Sequence, residues 1–259
     1  MNPSTQRFLN IFNIIKIENI PCASPSLLLM QLNGTCYHKF ECDQLGGIAV
    51  DTCAGGFGVC CVFQFGCGGT TNQLVSYFKN PEYPAASKTR LLCTFTVELF
   101  QDVNQVFIEF LFFELKAPTD GSCVDDQFIV AGQSSNNLIP VLCGINSGQH
   151  VYVDVESSLD KKLYLSILAA TSDSRAFNIR VSQVQGVNGQ APQNCLQYHK
   201  DQNGIIQTFN YDDVSEIIEV RQPTYFLKED LFYLQSDNKP LLDYSKEQQT
   251  NVTLTFSSK

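Results

Sequence analysis

The residues of this chain whose types could do chemistry are its cysteines, its three histidines and one serine beside a histidine. A thiol can ligate zinc, carry electrons or close a disulfide, and spacing separates these uses. Cys22, Cys36, Cys42, Cys53, Cys60 and Cys61 crowd together, Cys67, Cys93, Cys123 and Cys143 follow at wide intervals, and Cys195 stands apart. There is no Cys-x2-Cys pair and no His-x3-His partner, and His38, His150 and His199 are scattered along the chain. A disulfide framework is therefore expected in place of a metal site, which implies an oxidising, extracellular compartment.

Catalysis finds little support. A serine hydrolase needs a histidine base, an orienting acid and a nucleophile in a glycine-rich turn. Ser147 and His150 share one short loop, with no acid at a known spacing, and no Gly-Asp-Ser-Gly-like turn or His-Glu-x-x-His run occurs. No catalytic residue and no cofactor are expected, and the chain is read as a non-enzyme.

Charge and hydrophobicity narrow the partners. A formal net charge of -9 without a basic run argues against nucleic acid. No apolar stretch approaches the length that spans a bilayer, so membrane insertion is not expected. Asn33-Gly-Thr and Asn251-Val-Thr are glycosylation sequons, in keeping with a secreted glycoprotein. Residues 1–20 make a poor signal peptide, because Asn and Lys interrupt the apolar run, so the chain is read as starting inside a longer precursor or downstream of its true start. The same stretch could form an amphipathic helix on Phe8, Ile11, Phe12 and Ile15, or an extended strand.

The elements that must position the cysteines are strands. Apolar and polar residues alternate in Cys93-Thr-Phe95-Thr-Val97, Val106-Phe-Ile108-Glu-Phe110, Gln127-Phe-Ile-Val130, His150-Val-Tyr152-Val-Asp154, Leu163-Tyr-Leu165-Ser-Ile167 and Phe177-Asn-Ile179-Arg-Val181. Turn-forming clusters separate them, as at Asp120-Gly121 and Asn146-Ser-Gly148. Short strands at regular intervals predict an all-β antiparallel sandwich with a core large enough that disulfides staple it without replacing it.

Several motifs in order carry a family resemblance: Cys67-Gly-Gly69, Asn80-Pro-Glu-Tyr-Pro84, Cys93-Thr-Phe-Thr-Val, Phe110-x-x-Phe113, Cys123-Val-Asp-Asp126-Gln-Phe, Pro140-Val-Leu-Cys143-Gly and Arg175-Ala-Phe177-Asn-Ile. Residues 67–185 resemble a CUB domain, and Cys143 to His150 is similar to a stretch of the arthropod secreted members. The resemblance implies a jelly-roll-like β-sandwich with bridges Cys67 to Cys93 and Cys123 to Cys143. Closing two such loops would stabilise the fold by roughly 3 to 4 kcal/mol each on the chain-entropy model. The additional cysteine pair common in the arthropod subset is replaced here by Phe100 and Asn104. Many CUB domains hold calcium with one Glu and two Asp. The matching positions are Lys116, Asp126 and Asp173, and a lysine in place of the Glu puts a cation where an anion is needed. Calcium is therefore not expected, with Asp126 and Asp173 left as weak candidates that are otherwise solvated or capping turns.

Residues 22–61, behind a 1–21 extension, resemble a clip domain of arthropod immune proteases in cysteine order and in the terminal Cys60-Cys61 pair. The resemblance implies pairing of first to fifth, second to fourth and third to sixth. From the residues alone, adjacent cysteines each need a distant partner, and a disulfide knot without clip function fits equally well. Gly186 to Pro192 is read as a short linker. Cys195-Leu-Gln-Tyr198 and Gly204 to Tyr211 resemble the opening strands of a second CUB module, divergent or incomplete over 193–259, and the odd cysteine leaves an intermolecular bridge open. The expected function is extracellular protein or glycan binding. The alternative is a non-catalytic regulatory relative, or a fragment, of a clip- and CUB-bearing serine protease.

Overall fold

In the computed structural model, residues 16–24, 32–186, 189–199 and 207–210 are described in full, and the strands at 203–207, 225–227 and 253–257 by their backbone. The chain divides into two compact units, 1–62 and 63–259. The helix-or-strand segment at 1–15, the sequon at Asn251 and most of 211–259 lie outside the described residues.

The first unit contains β1 (Pro21–Ala23), β2 (Asn33–Tyr37), α1 (Lys39–Gln44), β3 (Ile48–Cys53) and β4 (Gly58–Val62), with the sheet ordered β1-β2-β4-β3. Successive side chains on a strand point to opposite faces, so the neighbours Cys60 and Cys61 on β4 must bridge in opposite directions. Cys60 joins Cys22 on β1, whereas Cys61 joins Cys42 on α1. Cys36 on β2 joins Cys53 on β3. Gly58 makes this possible, since a Cβ there would lie 2.9 Å from both Cys36 Sγ and Cys53 Sγ. The helix α1 has no counterpart in the sequence reading. His38 caps it, its Nδ1 accepting the Phe40 N–H at 3.3 Å.

The second unit holds the sandwich that the alternation predicts, antiparallel except for one short parallel edge strand in each sheet. Short strands β5 (Gln64–Phe65) and β6 (Thr70–Thr71) are followed by β7 (Val75–Lys79), β8 (Leu91–Glu98), β9 (Val103–Glu114), β10 (Asp126–Ala131), β11 (His150–Asp154), β12 (Lys162–Ala169) and β13 (Ala176–Gln185). One sheet runs β10-β12-β8-β6 and the other β11-β9-β13-β7-β5. All six alternating runs are strands, and their apolar positions face the core: Phe95 and Val97 on β8, Ile108 and Phe110 on β9, Leu165 and Ile167 on β12.

The spacing of Phe110 and Phe113 departs from period two, yet both are buried. The register between β9 and β13 shifts there, with Ile179 opposite Phe110 and Asn178 opposite Phe112, so Leu111 is the extra residue of a bulge. Both rings reach Phe128 of the facing sheet edge-on, at 5.6 and 5.7 Å. Such pairs add about 0.5 to 1.5 kcal/mol each beyond area burial. Two disulfides join Cys67 to Cys93 and Cys123 to Cys143.

Of the segment read as a linker, Ala191 is packed against the sandwich. The Ala191 N–H donates to Gln105 Oε1 at 2.8 Å, and Gln105 Nε2 donates back to Ala191 O at 3.0 Å. A buried side-chain amide on β9 satisfies this backbone. After it come β14 (Gln197–His199) and β15 (Asn203–Gln207). They pair with β16 (Tyr225–Leu227) and β17 (Thr253–Ser257), respectively. Leu196 and Phe209 belong to the main core cluster. Asn210 Oδ1 accepts the Ile145 N–H at 2.8 Å. Beside it Gly144 has φ +72, and a Cβ there would fall 1.8 Å from Asn210 Oδ1, so both backbone and space require glycine.

Candidate functional site

Loops carry recognition more often than the strands they join, and one group of loops here is held unusually firmly. Gly144 N–H donates to Lys116 O at 3.0 Å, Ala170 N–H to Asp125 O at 3.1 Å, and Ser87 and Arg175 exchange backbone bonds at 2.8 and 3.0 Å. These contacts gather the loops between β7 and β8, β9 and β10, β10 and β11, and β12 and β13.

At their centre is a buried ion pair. Arg175 and Asp126 both have fully buried side chains, with Nε donating to Asp126 Oδ2 at 2.8 Å. Arg175 Nη2 donates to Asp126 Oδ1 at 3.2 Å and to Thr171 O and Oγ1, and Nη1 donates to Thr89 O at 3.0 Å. Asp126 Oδ2 also accepts the Lys116 N–H at 3.1 Å. A buried charge pair is tolerated only when its remaining hydrogen-bonding capacity is met, as it is here. Asp126 is thus neither solvated nor a turn cap.

A second, more exposed cluster sits beside it. Lys116 Nζ lies 2.8 Å from Asp125 Oδ2 and 3.2 Å from Asp173 Oδ2. Hydrogen bonds that Lys116 donates to Asp125 and then to Asp173 raise its pKa above the ordinary value. The Thr171 hydroxyl, and after it Lys116, hold the Asp173 carboxyl below the usual range. Thr171 therefore links the two clusters, accepting from Arg175 and bonding Asp173.

The positions matched to a calcium site do meet in space, but their chemistry does not suit the ion. Calcium takes six to eight oxygen ligands. Both Asp126 oxygens are engaged by Arg175, and the Lys116 ammonium already pairs with Asp125 and Asp173. The sequence reading missed Asp125 and Arg175. A fully buried arginine was foreshadowed only by its place in the Arg175-Ala-Phe177 motif.

The remaining candidates are dispersed. Ser147 Oγ accepts the Phe113 N–H at 2.9 Å and lies 3.4 Å from Phe113 O. His150 Nε2 accepts the Tyr198 N–H at 3.3 Å, and His38 belongs to the first unit. Asn33 is half-buried at the start of β2. Cys195 is 1% exposed, and its thiol donates to Gln197 O at 2.8 Å.

Next to the bridged cysteines the loops expose apolar side chains. Val124 is 59% exposed, Leu138 74% and Val141 39%. The Cys123–Cys143 disulfide staples Val124 to the loop that carries the other two.

Comparison with known proteins bears on these loops only through the family. Residues 67–180 match the family model for the CUB domain, and residues 192–231 match that for the animal CUB domain. No curated protein matches the chain. Among solved structures, the full extracellular region of zebrafish Gpr126/Adgrg6 is 21% identical with a TM-score of 0.38, over 47% of this chain and 15% of that one. The MASP-1 CUB2 domain bound to Ca2+ is 17% identical with a TM-score of 0.36, over 45% of this chain and 98% of that one. The CUB1-EGF-CUB2 domain of human MASP-1/3 is 14% identical with a TM-score of 0.38, over 47% of this chain and 43% of that one. The chain thus spans well under two thirds of the zebrafish and human chains. By this match, the part of the chain from 67 to 180 is similar to the CUB domain.

Proposed function

We propose that this chain is a secreted, non-enzymatic binding protein whose CUB domain captures an extracellular protein or glycan through the disulfide-stapled loops around Val124, Leu138 and Val141. The exposure of these three apolar side chains on loops held by a disulfide and a buried ion pair carries the reading. Rigid apolar anchors give up little conformational freedom on binding, which is how interface hot spots gain their energy. CUB domains are generally binding modules without catalysis, and Ser147, with its hydroxyl on the Phe113 backbone, offers no nucleophile poised against a base. In this reading residues 193–259 form a divergent or incomplete second module, whose own weak contacts would add to those of the first.

The test compares the full chain with a Leu138→Asp/Val141→Asp variant in capture from extracellular fluid and on a glycan array. The expected result is a ligand held by the wild type and released at least tenfold more readily by the variant, with the sandwich melting unchanged. Equal capture by both proteins overturns this assignment of the loops.

A second reading is a regulatory relative, or a fragment, of a clip- and CUB-bearing protease. What favours it is the N-terminal unit, whose six cysteines pair first to fifth, second to fourth and third to sixth. Specific binding of an active extracellular serine protease by the 22–61 unit within the full chain would support it.

A further inference from the structure

The chain has three histidines, and the fold brings two of them together. His150 on β11 and His199 on β14 are 49 positions apart in sequence, and their ring centroids lie 5.0 Å apart. They face each other where residues 195–199 cover the edge of the five-stranded sheet. That contact includes Tyr152 N–H to Leu196 O at 2.9 Å, Gln197 Nε2 to His150 O at 3.1 Å, and Tyr198 N–H to His150 Nε2 at 3.3 Å. The last requires an unprotonated Nε2, because a protonated nitrogen is a donor and cannot accept an N–H.

We propose that the contact between β11 and residues 195–199 is a pH-responsive latch, closed while His150 and His199 are neutral and released as they take up protons. Protonation would remove the Tyr198 acceptor and set two like charges side by side within a ring cluster that also contains Phe107, Tyr152 and Tyr198. Imidazole is the side chain that ordinarily changes charge between about pH 5 and 8. The latched form then binds fewer protons than the released one, so latching strengthens as pH rises and weakens as it falls.

The other ionisable groups around the pair do not reverse this sign. Glu109 on β9 lies level with His150, but its carboxylate is held by both Arg180 Nε and Nη2 on β13, so its charge is already matched. Tyr152 on β11 is pushed up by burial first and then by Glu109, and Tyr198 also by burial first, so both stay neutral through the acid range. Cys195 contributes a thiol that donates to Gln197 O, and β16 brings Tyr225 level with Gln197. Asp154, farther along β11, accepts the Asn194 N–H at 2.6 Å and Gln105 Nε2 at 2.7 Å. These bonds hold residues 191–194 in place while residues 195–199 are let go.

Hydrogen exchange on the full chain, with protection corrected for the intrinsic pH dependence of exchange, tests the latch. Between about pH 7.5 and 5.5, protection of 195–199 and of Tyr152 should fall on the order of tenfold, while that of β12 holds. A His150→Gln/His199→Phe variant, which keeps an acceptor for Tyr198, should lose the response. His199→Phe alone should lose the part due to repulsion and serves if the double variant does not fold. Unchanged or rising protection in the wild type, an equal fall in β12, or a full response surviving in either variant overturns the proposal.

Discussion

The two units solve the same problem with different materials. Among the described residues of the N-terminal unit the fully buried side chains are mostly sulfur, with Cys36, Cys42, Cys60, Cys61 and Val62 at 0% exposure, while Phe40 and Phe57 stand 64% and 61% exposed. In the sandwich, phenylalanines and branched aliphatics from facing sheets fill the interior, and the two disulfides lie among them or at a loop. A small unit cannot bury enough apolar surface to offset chain entropy, so covalent closure replaces packing. The larger one has volume for a core, and its bridges serve mainly to fix loops.

Reduction should break the comparison open most widely. Each native bridge lost from a small unit costs about 2 to 5 kcal/mol, so thiol treatment should abolish exchange protection in β2, β3 and β4. Protection in β8 and β12 should survive. Persistence in β4 would mean that ordinary packing holds the first unit after all.

Truncating a core ring should do the reverse. Phe128→Ala removes the contact to Phe110 and Phe113 across the sheets and should cost the sandwich about 3 to 5 kcal/mol, read from exchange in β9 and β10. Phe57→Ala in the first unit should stay within about 0.5 kcal/mol.

Arg175→Met sharpens the picture within the sandwich, since it strands the Asp126 carboxylate in the interior and should cost about 3 to 5 kcal/mol. Adding Asp126→Leu should restore most of it. Failure of that rescue would mean that Arg175 acts through Thr89 and Thr171 and not through its ion pair.

The smallest effect is expected at Lys116, whose partners face water. Asp173 titrates below its ordinary value in the folded chain, so its contribution is present at neutral pH and is lost as pH falls through that lowered value. Lys116 titrates above its ordinary value, so its contribution is complete below that value and is lost as pH rises through the raised one. Lys116→Gln should lower the melting temperature slightly at neutral pH and converge on the wild type in acid, so that its acid limb is flatter. Added calcium should shift neither protein. A calcium-dependent rise in melting temperature for the wild type would overturn the view that the ammonium excludes the ion.

Much of the sandwich was legible because its signal is local. Cys93 to Val97 and Leu163 to Ile167 each declare a buried face through period two, and pairing follows from that face. The bulge at Leu111 was present only as an odd spacing of phenylalanines, and α1 only as a short polar run after His38. Neither carries enough periodicity to be read without its neighbours. Lys116 signalled a cation from its type alone, but which carboxylate of its own loop it meets is set by the fold, and the burial of Asp126 depends on Arg175 in a loop distant in sequence.

What this chain's sequence determined by itself is the set of strands in the sandwich, the division of its cysteines and the likeness of residues 67–180 to the CUB domain, because these rest on alternation, on spacing and on ordered motifs. Tertiary structure alone decided that the segment after Gly189 is docked on β9 and β11, that Arg175 is interior, and that His150 meets His199. Each of these is a contact between residues far apart in the chain. Its strength comes from excluding water around both partners at once, which no local pattern encodes.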